Sequence, residues 1–498
     1  MLVKPTVDDF RVVGFNLSRI SILVGLAGLV PLLWAAIGRE WAPASSFLLM
    51  IGVFLFLGGL GRRIPKSQRR LDWSHGMVVV ALAWLLVPAV ASIPLALSGH
   101  YGSVVDALFD AMSGLSTTGL ALVQDLDHLA PSLNFWRHLL HFIGGQGIII
   151  AALSIFAGGG AVTLYLGEAR DERILPSVRS TARFIWAAAL MHLGVGVLVL
   201  TLVAWQVLGF GFIRSLFHGL MVFFAAFDTG GFAAQSTNLG YYHSTIFEFV
   251  AAVLMVAGTM SFGLHYALWK RRYRAALLNL ETRTMLVTFS ATLTITVVGL
   301  AATGAFANTL GLTRYGFFQL LSAHTGTGFA TVSVPELAGW SGLAFAGMTM
   351  AMALGGMGSS TAGGVKSLRV GITARSIVTQ VKRVLVPEGA LVSQSYYQNG
   401  RNRLSPQLAQ AAMTISLLYV ALYLVGAGVA LAYGYGLGPA LFESISAGAN
   451  VGLSVGVAEP TMPLLLKLTY VTQMWLGRLE FVAAFALIGF LYSTWRGK

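Results

Sequence analysis

Four short segments of this sequence end alike. They are Ser116-Thr117-Thr118-Gly119-Leu120, Asp228-Thr229-Gly230-Gly231-Phe232, Thr325-Gly326-Thr327-Gly328-Phe329 and Ala449-Asn450-Val451-Gly452-Leu453, each closing on a glycine followed by Leu or Phe. Each follows a short, mostly apolar stretch and lies between two long apolar runs. A run of about 20 apolar residues crosses a hydrocarbon core as a helix, whereas a stretch of about ten does not reach across. Four successive units of helix, short re-entrant helix, glycine loop and helix therefore imply an all-α polytopic membrane protein with fourfold pseudo-symmetry. Irregular backbone at membrane depth persists only where it lines a watery cavity or is buried in protein, so the four loops are expected to form a ring.

Composition agrees with that class. Of 498 residues, 56% are hydrophobic and only 10% charged, against about 25% charged in an average soluble protein. There is no cysteine, which excludes disulfides, thiolate catalysis and Cys-based metal sites. Asp8 and Asp9 precede the first apolar run and no small-residue cleavage site follows it, so a signal peptide is not expected. The net charge of +13 suggests a nucleic-acid partner, but the placement of the charges opposes it. Lys and Arg gather at Lys4–Arg19, Arg62–Arg70, Arg170–Arg183, Lys270–Arg283, Lys366–Arg403 and Arg496–Lys498, at every second boundary between apolar runs. The intervening boundaries hold only Arg39, Arg137, Arg214, Arg314 and Lys467. This asymmetry is the positive-inside pattern and predicts two cytoplasmic termini.

Ten spans are expected. Residues 20–38 and 44–61 form a hairpin without a glycine loop, within an N-terminal unit of residues 1–70. Four pore repeats follow at 71–165, 166–275, 276–400 and 401–498. Their paired spans are 74–98 and 134–157, 184–208 and 245–269, 284–306 and 340–365, and 408–433 and 464–494. The repeats share a register: Phe109, Met221, Phe318 and Phe442 stand ten residues before the loop glycine, and Ser113, Ala225, Ser322 and Ser446 six before it.

Such loops suit a cation. Glycine accepts positive φ and close approach, the C-terminal end of each short helix is negative, and rings of carbonyls replace the water shell of potassium. The expected filter comprises Thr117, Thr118, Gly119, Thr229, Gly230, Gly231, Gly326, Thr327, Gly328, Asn450, Val451 and Gly452. The alternative reading of its Thr and Asn residues is turn formation or capping. In the third repeat, Gly355, Gly356, Gly358, Gly363 and Gly364 interrupt the span, each costing a helix interior about 1 kcal/mol relative to Ala. An unwound constriction beneath the filter is expected there, with a small-residue helix interface as the alternative. Arg478 stands mid-span, where a charge costs about 2.5–3.5 kcal/mol. It is expected to face a cavity or to pair with Glu480 or Asp110. Lys366, at the inner end of the glycine run, is a weaker gate candidate.

Enzymatic readings fare poorly. No His pair has metal-ligand spacing, and His141 and His265 read as interhelical hydrogen-bonding residues. The stretch from Gly358 to Ser367 has Gly364 where a phosphate loop needs Lys. The competing class is an ion-coupled secondary transporter of another small solute, which also uses broken helices but usually shows two related halves rather than four units.

Beyond the four loops, the chain carries His141-Phe142-Ile143-Gly144-Gly145-Gln146-Gly147, Ser261-Phe262-Gly263-Leu264-His265-Tyr266, Gly355-Gly356-Met357-Gly358-Ser359-Ser360-Thr361-Ala362-Gly363-Gly364-Val365-Lys366 and Trp475-Leu476-Gly477-Arg478-Leu479-Glu480. In this order and spacing the chain resembles the Trk/Ktr/HKT superfamily of potassium transporters, from about residue 70 to its end. The N-terminal hairpin is similar to the TrkH branch. The resemblance implies potassium uptake without a cofactor in this chain. It further implies a homodimer with one pore per chain, and a cytosolic nucleotide-binding regulatory ring of the RCK/TrkA type docked on the basic segment after Lys366. It also implies Arg478 as a gate element. Met357 and Ala362 depart from the family's usual small residues in the broken segment. Gly119, replaced by Ser in sodium-transporting plant members, is retained, which favours potassium.

Overall fold

The computed structural model describes residues 4–65, 72–147, 177–304, 306, 308–387, 392–398 and 400–497. The expected charges Lys66, Arg69, Arg70, Arg170, Arg173 and Lys498, the 148–157 part of the fourth span, and the unit boundaries at 70 and 165 lie outside the described residues.

Among the described residues, six helices are long and apolar enough to cross a membrane: Val7–Ile37, Trp41–Gly61, Ser74–Ala96, Ser180–Gln206, Leu280–Ala302 and Pro406–Ala432. The first two are the N-terminal hairpin and the other four are the first leg of each repeat. Local chemistry fixes where those legs begin. Asp72, Ser177, Asn279 and Ser405 each accept a backbone N–H of the first turn with a side-chain oxygen, from His75, Ser180, Glu281 and Leu408. Such a cap is worth about 1 kcal/mol. The hairpin's first helix starts at Val7 rather than near residue 20, because Thr6 and Asp9 form a capping box that carries the acidic pair into the helix. Asp9 then meets His75 Nε2 at 2.7 Å, docking the hairpin on the first repeat. In the most apolar stretch of Ser74–Ala96, 72% of the residues are accordingly buried, against 22% in that of Leu280–Ala302.

Four short helices follow the first legs: Val104–Leu115, Phe212–Phe227, Phe317–Thr325 and Leu437–Gly448. Each leads into its glycine loop, from which a second leg departs.

The second legs differ from the sequence expectation. A break was expected only in the third repeat, yet the second and fourth repeats are interrupted in the same region, and in the first the described helix ends there. The first ends at Gln146, with Gly147 at φ 87°. The second runs Thr245–Thr259, then bends by 103° into Phe262–Trp269. The third runs Gly342–Leu354 and resumes at Ser367–Leu385. The fourth runs Leu464–Arg478, then bends by 109° into Val482–Arg496, so residues 464–494 are not one straight span. Mean hydropathy stays high across both bent pairs, even with Arg478 and Glu480 at the second bend, and hides the bends. The breaks are made locally, by Ser261 capping the new helix with its side chain and by Glu480 and Phe481 at φ 49° and 69°. The segment after Ser367–Leu385 adds a short antiparallel pair, Ser395–Tyr397 with Arg401–Arg403. The boundary drawn at 400 falls in the turn between these strands.

Ion pairs between neighbouring repeats tie the ring near the starts of the short helices. Arg314 grips Glu248 with Nε and Nη2 at 2.8 and 2.5 Å, joining the third repeat to the second. Lys467 meets Asp106 at 2.5 Å, with side chains 9% and 2% exposed, joining the fourth repeat to the first. Removing one partner of a buried pair costs about 3–5 kcal/mol. Lys467→Ala is therefore expected to lower the thermal midpoint of the detergent-solubilised protein markedly, and an unchanged midpoint would assign the pair no such weight.

Candidate functional site

The four glycine loops share one hydrogen-bond scheme. The residue before each loop glycine donates its N–H to a carbonyl of the short helix: Thr118 to Ser113, Gly230 to Ala225, Thr327 to Ser322 and Val451 to Ser446, all at 2.8–2.9 Å. The small residues six before the glycine are thus the acceptors that end each helix. In the first and fourth repeats the Ser113 and Ser446 hydroxyls also accept the loop glycine's own N–H at 3.0 Å. Thr117, Thr229, Gly326 and Asn450, two before the glycine, have φ between 50° and 73°. The loop glycines themselves have φ of 95°, 70°, 84° and 95°. Alternating left-handed residues turn successive carbonyls in a way a β-strand does not.

The loops meet head to tail. A Cβ on Gly119 would lie 2.2 Å from the Gly230 oxygen, and one on Gly231 2.1 Å from the Thr327 oxygen. A Cβ on Gly328 would lie 1.9 Å from the Val451 oxygen, and one on Gly452 2.1 Å from the Thr118 oxygen. The order 1-2-3-4-1 closes a ring in which each glycine is packed against the next repeat's carbonyl, leaving no room for a side chain. Behind the ring, Gly144, Gly258 and Gly477 of the second legs press against the terminal carbonyls of their own short helices, at Leu115, Phe227 and Gly448. A Cβ there would come within 1.7–2.0 Å of those oxygens.

The polar side chains of the loops bind sideways. Asn450 Nδ2 donates to Thr118 Oγ1 at 2.9 Å and to the Met474 carbonyl at 3.0 Å. Thr325 and Thr327 hydroxyls meet at 2.9 Å. Turn formation and ring lining are therefore not exclusive readings: side chains fix the loops while the backbone forms the ring.

The interrupted segment from Gly355 to Lys366 lies against these loops and is not a helix interface. Thr361 Oγ1 donates to the carbonyls of Phe227 and Gly258 at 3.1 and 2.9 Å and accepts from Thr229 Oγ1 at 3.1 Å, which joins it to the second loop. Ala362 packs beneath Gly326 of the third loop, and Gly363 against Ala449 and Asn450 of the fourth. Gly356 abuts Thr259, and Gly355 and Gly364 pack on one another's backbone. The Gly358 N–H donates to Glu281 Oε1 at 2.6 Å. Lys366 is buried, and its ammonium turns back to donate to the Ala362 carbonyl.

Arg478 completes the set. It donates to Thr117 Oγ1 at 3.2 Å, the Thr361 carbonyl at 2.6 Å and the Gly144 carbonyl at 2.8 Å. One guanidinium thus spans the first loop, the interrupted segment and the first repeat's second leg. The two carboxylates weighed as its partners are held elsewhere. Asp110 Oδ2 accepts from Arg137 Nε at 2.9 Å, and Glu480 pairs with Arg369. Sequence reasoning missed Glu281 and Thr361, whose only signal was a polar residue at the end of a span and inside the glycine run. His141 donates to the Gly114 carbonyl at 2.7 Å and His265 to the Ala257 carbonyl at 2.9 Å, each bond joining two helices.

A closed ring of four re-entrant loops, made by one chain and underlain by an interrupted helix, defines a pore-loop membrane protein. Residues 46–488 match the family described as TrkH, cation transport protein, and the chain belongs to that family. It is 29% identical to an uncharacterised cation transporter of Methanocaldococcus jannaschii, over 99% of this chain and 98% of that protein. It is 27% identical to the Trk system potassium uptake protein TrkH of Halomonas elongata and 26% to that of Escherichia coli K12, each over 98% of both chains. The crystal structure of the potassium transporter TrkH from Vibrio parahaemolyticus has the same fold, with a TM-score of 0.82, 22% identity, and coverage of 96% of this chain and 98% of that one.

Proposed function

We propose that this chain takes up potassium across the cytoplasmic membrane, with both termini on the cytoplasmic side. The observation that carries the reading is the head-to-tail closure of the four glycine loops. Carbonyls held on such a ring replace the hydration shell of an ion. Thr117, Thr118 and Gly119, Thr229, Gly230 and Gly231, Gly326, Thr327 and Gly328, and Asn450, Val451 and Gly452 line the ion path mainly through their backbone oxygens. The names of the relatives support potassium as the ion. One ring of four units also disfavours a solute transporter built from two halves. The membrane potential, worth about 2.3 kcal/mol per 100 mV for each charge, drives accumulation without ATP hydrolysis by this chain, and no cofactor is required.

The segment holding Gly355, Gly356, Gly358, Gly363, Gly364 and Lys366 acts as the gate, with Arg478 as its latch. Its hydrogen bonds through Thr361 to Thr229 of the second loop and to Arg478 support that reading. The chain works as a homodimer. The basic segment after Lys366, where Lys382 and Arg383 are exposed at the end of Ser367–Leu385, receives a cytosolic nucleotide-binding ring of the RCK/TrkA type.

Purified chain in liposomes is expected to take up rubidium against an internal potassium load, with potassium competing well and sodium poorly. Saturable uptake of an organic solute without cation flux would overturn the proposal.

A further inference from the structure

The strand leaving each loop glycine is held from behind, and three repeats do it with the same position. Nine residues before the glycine stand Asp110, Gln319 and Glu443, all fully buried. Asp110 Oδ1 accepts the Leu122 N–H at 2.6 Å, and Gln319 Oε1 accepts the Thr331 N–H at 3.1 Å. Glu443 Oε1 accepts the N–H groups of Val455 and Val457 at 2.9 and 3.0 Å. Leu122, Thr331 and Val455 each lie three residues after their loop glycine. The second repeat has the apolar Val222 at this position, and its strand is held from the neighbouring repeat instead. His141 Nε2 accepts the Phe232 N–H at 3.3 Å, His138 Nε2 meets the Phe232 carbonyl at 3.1 Å, and Asn134 Nδ2 donates to the Ala234 carbonyl at 3.1 Å.

We propose that Asp110, Gln319 and Glu443 are positioning residues that set ion selectivity, by fixing the strand on which each loop's carbonyls turn. The proposal rests on the potassium-uptake reading. A filter discriminates by the spacing and field of its oxygens. The loop glycines are packed on neighbouring carbonyls, so a strand released in one repeat shifts the ring as a whole. Charge is not what the position supplies. Gln319 does the work with a neutral amide oxygen, while the Asp110 carboxylate is met by Arg137 and Tyr101. An acceptor of the right length is the common requirement.

The test uses the full chain in liposomes, reading rubidium uptake competed by potassium or sodium beside the thermal midpoint of each variant. Glu443→Ala is expected to lower the potassium-over-sodium ratio by about fivefold or more, the scale of one lost buried hydrogen bond, and Glu443→Gln to keep it within about twofold. Gln319→Leu provides a second reading in case Glu443→Ala does not fold, with the same expected loss. A merely structural role would lower yield and midpoint in Glu443→Ala and Gln319→Leu while leaving the ratio of the surviving protein at the parent value, which would overturn the proposal. A parent protein without cation uptake would overturn the uptake reading, and this inference with it.

Discussion

Arg478→Ala is expected to raise basal rubidium flux about tenfold or more. Its guanidinium joins Thr117, Thr361 and Gly144, groups from three different segments. Hydrogen bonds to a charged group are worth about 1.5–3 kcal/mol each. Losing even one that exists only in the closed arrangement shifts the closed-to-open ratio about tenfold or more. Removing the positive charge also removes an electrostatic barrier to cations. Arg478→Lys separates the two contributions. An ammonium keeps the charge but not the planar fork that reaches several acceptors at once, so an intermediate flux is expected. A well-folded Arg478→Ala protein with unchanged or lower flux would remove the latch from the mechanism, leaving Arg478 as a packing element.

What the sequence discloses here follows from how each feature is encoded. The glycine loops are legible because a left-handed backbone and a carbonyl-to-glycine contact demand a residue without Cβ, four times in one register. The broken third repeat is legible because five glycines stand where a helix would be. The bends at Met260 and Leu479 are not, because mean hydropathy stays high across each pair of helices, even with Arg478 and Glu480 beside the second bend, and one capping serine or two left-handed residues suffice to make the turn. Arg478 stands out as a charge in an apolar run, yet two of its partners are carbonyls, which every residue has and no pattern marks. The pairs Arg314–Glu248 and Lys467–Asp106 join positions 66 and 361 residues apart, which only the closure of the ring brings together. Asp110, Gln319 and Glu443 were in plain register, but an acid, an amide and an acid do not look like one position until their shared N–H partner is seen.

Gly119→Ser is expected to admit sodium, cutting the potassium-over-sodium ratio by about tenfold or more, or about 1.4 kcal/mol of discrimination. The reason is steric before it is chemical. A Cβ at Gly119 would sit 2.2 Å from the Gly230 oxygen, 3.3 Å from its carbonyl carbon and 3.5 Å from the Gly231 carbonyl carbon, all backbone. The second loop must retreat, and because Gly231 in turn packs on Thr327, the displacement passes around the ring. The φ of 95° at Gly119 adds strain of its own. Gly99→Ala separates strain from collision. Gly99 has a comparable φ of 77° with nothing within 4 Å of the added carbon, and lies on the surface. That variant carries the backbone penalty alone and is expected to keep the parent selectivity. Competition of potassium and sodium against rubidium uptake reads both variants. A Gly119→Ser protein that folds and keeps the parent ratio would mean that the ring of four loops is not where the ion is chosen.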